Sequence, residues 1–299
     1  MKKSILYVGT PKGGTGKTTL AISIANRAVR TGKNAIYIDA DVTPHGTRHY
    51  SNVKKESGLE KLFNGENLID CLEEINLKNV RALPNHKRGK LYLLSGNENT
   101  NDLLIKKDSN NELIKGINFL RYAKDQVLNI FNEMKVDLII IDTHPVKKEF
   151  LINKFFAEIS RYFVIPTTDP ESLTRYINMI NFVRYTNKNN PIIISCSLKQ
   201  KKFTRNYLKK GKNSIDISKK VKNILGWNHC SNSVPELKSL SCGYTLHGRQ
   251  NAYSIVAEEI IAKINSPYPE NMLDNKKELD RKLVMLKEEI ERIKNILRW

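Results

Sequence analysis

Gly9-Thr10-Pro11-Lys12-Gly13-Gly14-Thr15-Gly16-Lys17-Thr18-Thr19 is the stretch that decides how this chain folds. Before it stands Ile5-Leu6-Tyr7-Val8, an apolar run with the length and the β-branched or aromatic character of a buried parallel strand. After it, Leu20 to Arg30 reads as a helix stopped by Thr31-Gly32. Strand, glycine-rich loop and helix are the context that phosphate binding requires. The glycines let the backbone turn tightly so that successive N–H groups point at one anion, and the helix adds the positive end of its dipole. Gly16-Lys17-Thr18 supplies the Gly-Lys-Thr end of the Gly-x-x-x-x-Gly-Lys-Thr pattern, with Pro11 standing where its first glycine would be. Lys17 is placed to reach the β- and γ-phosphates of a nucleoside triphosphate, and the Thr18 hydroxyl to ligate Mg²⁺ directly. Gly13, Gly14, Thr15, Gly16, Lys17, Thr18 and Thr19 are therefore the candidate nucleotide-binding residues.

Two further strands end in acids. Asn34 to Asp41 closes on Asp39-Ala40-Asp41, and Val136 to Pro145 carries Asp142 at the end of a strongly apolar run. Carboxylates at the C-terminal edge of a parallel strand face the crevice where ligands of open α/β sheets bind. An apolar strand ending in Asp is the Walker B pattern, which accepts a hydrogen bond from a Mg²⁺-bound water.

The second lysine of the loop narrows the reading. Lys12-Gly13-Gly14-Thr15-Gly16-Lys17-Thr18-Thr19 resembles the deviant Walker A motif, K-G-G-x-G-K-T-T/S, of the ParA/MinD family of dimeric ATPases. The resemblance implies an α/β fold: a mostly parallel twisted sheet with helices on both faces, P-loop NTPase and SIMIBI-like, binding ATP with Mg²⁺. It makes Lys12 a residue that crosses a dimer interface to the partner's nucleotide, where a second cation can neutralise phosphoryl-transfer charge; Lys12 pointing into solvent is the alternative. It makes Asp39 and Asp142 metal residues acting through water, and Asp41 the group that orients the attacking water, so Lys12, Lys17 and Asp41 are the catalytic candidates. Asp41-Val42 departs from the D-x-D-P-Q of partition ATPases toward the D-x-D-V of MinD-like members, and His144 stands inside the family's usual D-T-P-P. A neutral imidazole there is not needed for the chemistry. Ser233-Val234-Pro235-Glu236-Leu237 resembles the family's loop bordering the adenine, which adds Pro235 to the nucleotide-binding set.

Composition limits the remaining classes. The 299 residues suffice for one large α/β domain with additions, and no run approaches the ~18 uncharged apolar residues of a membrane helix. Met1-Lys2-Lys3-Ser4 runs straight into the first strand, which argues against a removable leader. By the same token no helix-turn-helix precedes the loop. Cys71, Cys196, Cys230 and Cys242 form no C-x-x-C pair, which argues for a reducing cytosol and against zinc. The net charge of +19, with 50 Lys+Arg against 31 Asp+Glu, favours a polyanionic partner, although a lysine- and asparagine-rich composition inflates the total. Clustering is more telling. Lys199 to Lys222 holds ten Lys or Arg and one acid, Asp216, with Phe203 and Tyr207 interleaved. Lys199, Lys201, Lys202, Arg205, Lys209 and Lys210 are the candidate phosphate-backbone contacts of nonspecific DNA binding.

Elsewhere, 58–65 and 68–75 read as short helices, 91–96 as a strand, and 117–134 as an amphipathic helix with Leu120, Tyr122, Val127, Ile130 and Phe131 inward. Strands follow at 162–168 and 191–196, a helix begins near Pro170, and another spans 252–264. The resemblance covers roughly residues 4 to 265, giving a 1–265 ATPase domain and a 266–299 tail. In the tail Leu279, Leu283, Leu286, Ile290, Ile293 and Leu297 follow a 4-3-4-3-4 spacing, the seam of a coiled coil. Such a short helix must pair with a second tail or dock on the body. Its interspersed acids argue against a membrane anchor. The leading expectation is a cytoplasmic, nucleoid-associated ATPase whose ATP-bound homodimer binds DNA nonspecifically, answers to a centromere-binding partner protein and segregates a plasmid or chromosome. The alternative is a MinD-like ATPase cycling on a membrane.

Overall fold

A computed structural model of the chain describes residues 3–11, 13–41, 57–75, 82–97, 99–100, 113–145, 151–167, 170–187, 191–200, 223–225, 228–235, 252–266 and 276–297. Lys12, Lys201, Lys202, Arg205, Lys209 and Lys210 lie outside these residues, and so do the side chains of Lys199 and Pro235.

The first strand, β1 (Ser4–Val8), is buried along its whole length, as its unbroken apolar run requires. It sits between β5 (Leu138–Thr143) and β6 (Tyr162–Thr167), parallel to both. Beyond β5 come β2 (Ala35–Ala40), β4 (Leu91–Ser95) and the two-residue β3 (Glu73–Glu74), and beyond β6 come β7 (Ile192–Gln200) and β8 (His229–Pro235). The result is one eight-stranded sheet in the order β3-β4-β2-β5-β1-β6-β7-β8, parallel except for the β3–β4 edge pair. It has the expected fold class.

Alternation along each strand divides the core. Ile5, Tyr7, Ile139 and Ile141 face one side, where they pack with α4 (Leu113–Glu133), α5 (Leu151–Ile159) and α6 (Pro170–Thr186). Leu6, Val8, Leu138 and Ile140 face the other, covered by α1 (Lys17–Arg30) and α7 (Ala252–Asn265). Helix α1 ends as its sequence suggests: the Gly32 N–H donates to the Val29 carbonyl at 3.0 Å, and the Lys33 N–H to that of Ala28 at 3.1 Å. Gly32 adopts φ +83°, open to glycine at little cost.

Several local expectations are corrected. The segment 68–75 is helical only over α3 (Leu68–Cys71), beyond α2 (Gly58–Phe63). Glu73–Glu74 then pairs antiparallel with β4, because an open sheet edge offers backbone partners that a short helix end lacks. Helix α4 starts earlier than expected, at Leu113, and turns Tyr122 outward at 38 % exposure; Ala123 takes the inward position with Val127 and Ile130. Strand β7 runs on to Gln200. Ser233 to Pro235, expected in a loop, belongs to β8, an edge strand where a terminal proline is tolerated.

The tail forms α8 (Lys276–Leu297) and packs on α6. Leu283 and Leu286 of the heptad seam are buried in the α4–α6 side of the core, and Arg184 on α6 pairs with Asp280 at 2.5 Å. The apolar seam is thus used against the body at these positions.

Candidate nucleotide and metal site

The parallel strands deliver their C-terminal ends to one rim, and the predicted site residues meet there. In register, Asp142 lies beside Val8 on one flank and Asp39 on the other. The loop leaving β1 turns through Gly14 at φ +70° and Gly16 at φ +88°. A Cβ on Gly13 would stand 3.7 Å from the Pro145 ring, so the loop runs close to the segment after β5. Gly16 caps α1 without a side-chain hydrogen bond, and the first turn holds no acid. The N-terminal N–H groups of α1 therefore keep no side-chain acceptor, which favours an anion there. Thr15 is buried, Thr18 and Thr19 are half-buried, and Lys17 is 5 % exposed.

Burial lowers the Lys17 pKa, and the charges of Asp142 and then Asp41 counter that effect. Asp39 is held well above the usual carboxylate range by burial first, then by the charges of Asp142 and Asp41. Asp142 is pushed up to about 6, mainly by burial, with the Thr18 hydroxyl, Lys17 and the Tyr37 hydroxyl pulling the other way. Asp41, half-buried, donates its backbone N–H to Asp39 Oδ1 at 3.1 Å. The other Asp39 oxygen, Oδ2, and Asp142 Oδ1 are buried and accept no hydrogen bond from any described residue.

Orphaned carboxylate oxygens on two register-paired acids mark a place built for a cation, since ionised carboxylates without partners are costly to bury. Oxygen donors of this kind, with the Thr18 hydroxyl nearby, suit hydrated Mg²⁺. A pH dependence follows. Metal binding needs an ionised Asp142, so the part of the Mg²⁺-dependent nucleotide affinity that this carboxylate contributes is expected to fall as pH drops through about 6. For the protein without metal the sign is opposite. A raised native pKa adds stability that is complete below the unfolded value, near 4, and is lost as pH rises through about 6. Melting curves with and without Mg²⁺-nucleotide between pH 5 and 8 check both slopes.

Three contacts were not anticipated. The Tyr37 hydroxyl donates to Asp142 Oδ2 at 2.8 Å. The Thr143 hydroxyl donates to the Val8 carbonyl at 3.0 Å, tying β5 to the start of the loop. On α7, the Tyr253 hydroxyl lies 2.7 Å from where a Gly16 Cβ would be, so only glycine fits between it and the loop. A tyrosine amid a buried strand was the available signal, because its hydroxyl needs a partner. His144 Nδ1 faces the Pro145 carbonyl at 3.1 Å, a local contact. Cys71, Cys196 and Cys230 are buried free thiols, and burial raises the last two. No group of three or more metal-ligating His, Cys, Asp or Glu occurs among the described residues, nor a helix long and apolar enough to cross a membrane.

A Lys-bearing glycine loop at the end of β1, an uncapped helix and an Asp at the end of β5 define a P-loop nucleotide-binding protein. The model of the AAA_31 family, described as an AAA domain, matches residues 3–195. The chain belongs to that family, of the ParA/MinD type that its loop resembles. No curated protein sequence matches it. Among solved structures it is similar to a Borrelia burgdorferi B31 protein named for plasmid partition and bound to AMPPNP, at 21 % identity and TM-score 0.61, over 88 % of this chain and 98 % of that one. It is similar to the MinD cell division protein of Aquifex aeolicus at 17 % identity and TM-score 0.60, over 89 % and 99 %. It is also similar to cobyrinic acid a,c-diamide synthase of Mycobacterium smegmatis with ADP and magnesium, at 16 % identity and TM-score 0.58, over 89 % and 96 %. One fold therefore serves proteins named for plasmid partition, cell division and synthesis, and the choice among them rests on this chain's own residues.

Proposed function

We propose that the chain is a Mg²⁺-dependent ATPase that dimerises around ATP, binds DNA nonspecifically in that state and segregates a plasmid or chromosome under control of a centromere-bound partner protein. The observation that carries the nucleotide chemistry is the buried Lys17 at the uncapped start of α1, set against the Asp39–Asp142 pair. Gly13 to Thr19 cradle the phosphates, and Pro235 at the end of β8 reaches the same rim. Thr18 holds the metal directly, and Asp39 and Asp142 hold it through water. The metal supplies charge neutralisation to the β- and γ-phosphates. Asp41 orients the attacking water, and Lys12 reaches the partner's nucleotide across the dimer. The AMPPNP and ADP–magnesium of the similar structures support this reading of the ligands.

The basic run from Lys199 supports DNA as the polyanion. The likeness to MinD favours a membrane as second reading, but burial of Leu283 and Leu286 against the body removes part of the apolar face that an anchor would offer lipid. Electrophoretic shifts with ATP, ADP and no nucleotide, over a salt series and beside liposome pelleting, separate the two. A sequence-indifferent shift that needs ATP is expected. Joint replacement of Lys201, Lys202 and Arg205 by alanine is expected to make the salt slope shallower by about 2 to 3, at roughly 0.9 per phosphate contact. Liposome pelleting without a DNA shift would move the assignment to the membrane.

A further inference from the structure

The carboxylates at the rim share one arrangement. In Asp39, Oδ1 accepts the Asp41 N–H, and in Asp142, Oδ2 accepts the Tyr37 hydroxyl, while among the described residues Asp39 Oδ2 and Asp142 Oδ1 find no hydrogen-bond donor. One oxygen of each acid is thus anchored by a contact from β2 or the residue that follows it, and the two acids sit side by side in register on β2 and β5.

Tyr37 achieves this across strands. It is opposite Ile140 in the ladder, two residues before Asp142, and the two-residue period puts Tyr37, Asp39, Ile140 and Asp142 on the same face of the sheet. Its ring is fully buried in the α1–α7 side of the core, so the hydroxyl is delivered by a side chain with no freedom to swing away. A phenylalanine or leucine would fill that space without bringing a polar group into an apolar layer. Tyrosine there brings a donor aimed at one oxygen of one acid.

We propose that Tyr37 is a positioning residue for the metal: it anchors Asp142 Oδ2 so that Oδ1 is presented to the hydrated Mg²⁺ of the bound nucleotide. Groups that orient metal-holding carboxylates from outside contribute to metal affinity without touching the ion. The inference rests on the nucleotide reading above and adds a residue that the loop motifs do not contain.

The test is Tyr37→Phe, which keeps the ring and deletes the donor. Binding of N-methylanthraniloyl-ATP is titrated at fixed nucleotide against Mg²⁺, and in EDTA, with no turnover required. The Mg²⁺ concentration for half-maximal tight binding is expected to rise about tenfold, while affinity in EDTA stays at the wild-type value. In an Asp142→Asn background the same substitution is expected to have little further effect, because the two residues act as a unit. Superimposable Mg²⁺ titrations of wild type and Tyr37→Phe would overturn the inference and leave the nucleotide site standing. An equal loss in EDTA and in Mg²⁺, or full additivity with Asp142→Asn, would overturn it by showing a packing role only. A wild-type protein that binds no nucleotide with or without Mg²⁺ would overturn the nucleotide reading itself.

Discussion

Lys17→Ala is expected to abolish nucleotide binding at micromolar ATP and to lower phosphate release by about 100-fold or more, the scale of removing one aimed charge from a water-poor site. The side chain is 5 % exposed at the start of a helix whose first turn carries no acid and no side-chain cap. A buried ammonium of this kind is expensive unless an anion shares the space, and Asp142 and Asp41 are the protein's own share of that compensation. The phosphates supply the rest. With the lysine gone, Asp142 loses one of the interactions that hold its proton affinity down, so metal binding at neutral pH weakens as well. Equilibrium binding and phosphate release, measured with and without Mg²⁺, report both losses. Turnover of Lys17→Ala at the wild-type rate would remove Gly9–Thr19 from the chemistry.

Gly9→Ala is expected to destabilise the fold strongly at the rim of the site. A Cβ at Gly9 would lie 2.3 Å from Cε1 of Tyr7 and 3.1 Å from the Thr143 hydroxyl oxygen. A ring can sometimes turn aside, but this one is fully buried, 5.4 Å centroid to centroid from Phe163, and its hydroxyl donates to Asn153 at 3.4 Å. The Gly9 N–H is itself held by the Val164 carbonyl at 3.1 Å, so the backbone has no slack either. Overpacking of this type costs about 3 kcal/mol, which for a domain of this size lowers the melting temperature by roughly 5–10 °C. Adding Tyr7→Leu is expected to restore part of the loss by vacating the contested space. A Gly9→Ala protein melting with the wild type would show that the ring moves freely.

The site was legible where its residues are contiguous. Gly9 to Thr19 suggest a phosphate loop by their glycines and the Gly16-Lys17-Thr18 ending between strand and helix, and Asp39 and Asp142 stand out by their position at the ends of apolar strands. Tyr37 was not legible as a partner of Asp142, because their contact depends on which strands are neighbours and in what register, and neither is written locally. Tyr253 against Gly16 is the same kind of fact. Strand β8 escaped notice for a different reason. Its sequence, His229-Cys230-Ser231-Asn232-Ser233-Val234-Pro235, has no apolar run, since only one of its edges is paired. Backbone N–H groups of Ser231 and Asn232 instead find the Glu259 carboxylate on α7, at 2.5 and 2.9 Å. At Leu283 and Leu286 the heptad seam faces the body, but periodicity does not identify the surface that receives it, and at these positions that surface is α6.

That last contact sets an order of events during synthesis. Every strand and the helices over both faces precede α8 in the chain, so the patch of α6 destined for Leu283 and Leu286 is made long before its cover. Between the end of α7 at Asn265 and Leu286 a ribosome spends about 1–4 s at ~5–20 residues per second. For that interval the apolar strip on α6 stands uncovered beside the nascent sheet, and a chaperone or a neighbouring nascent chain can reach it before α8 does.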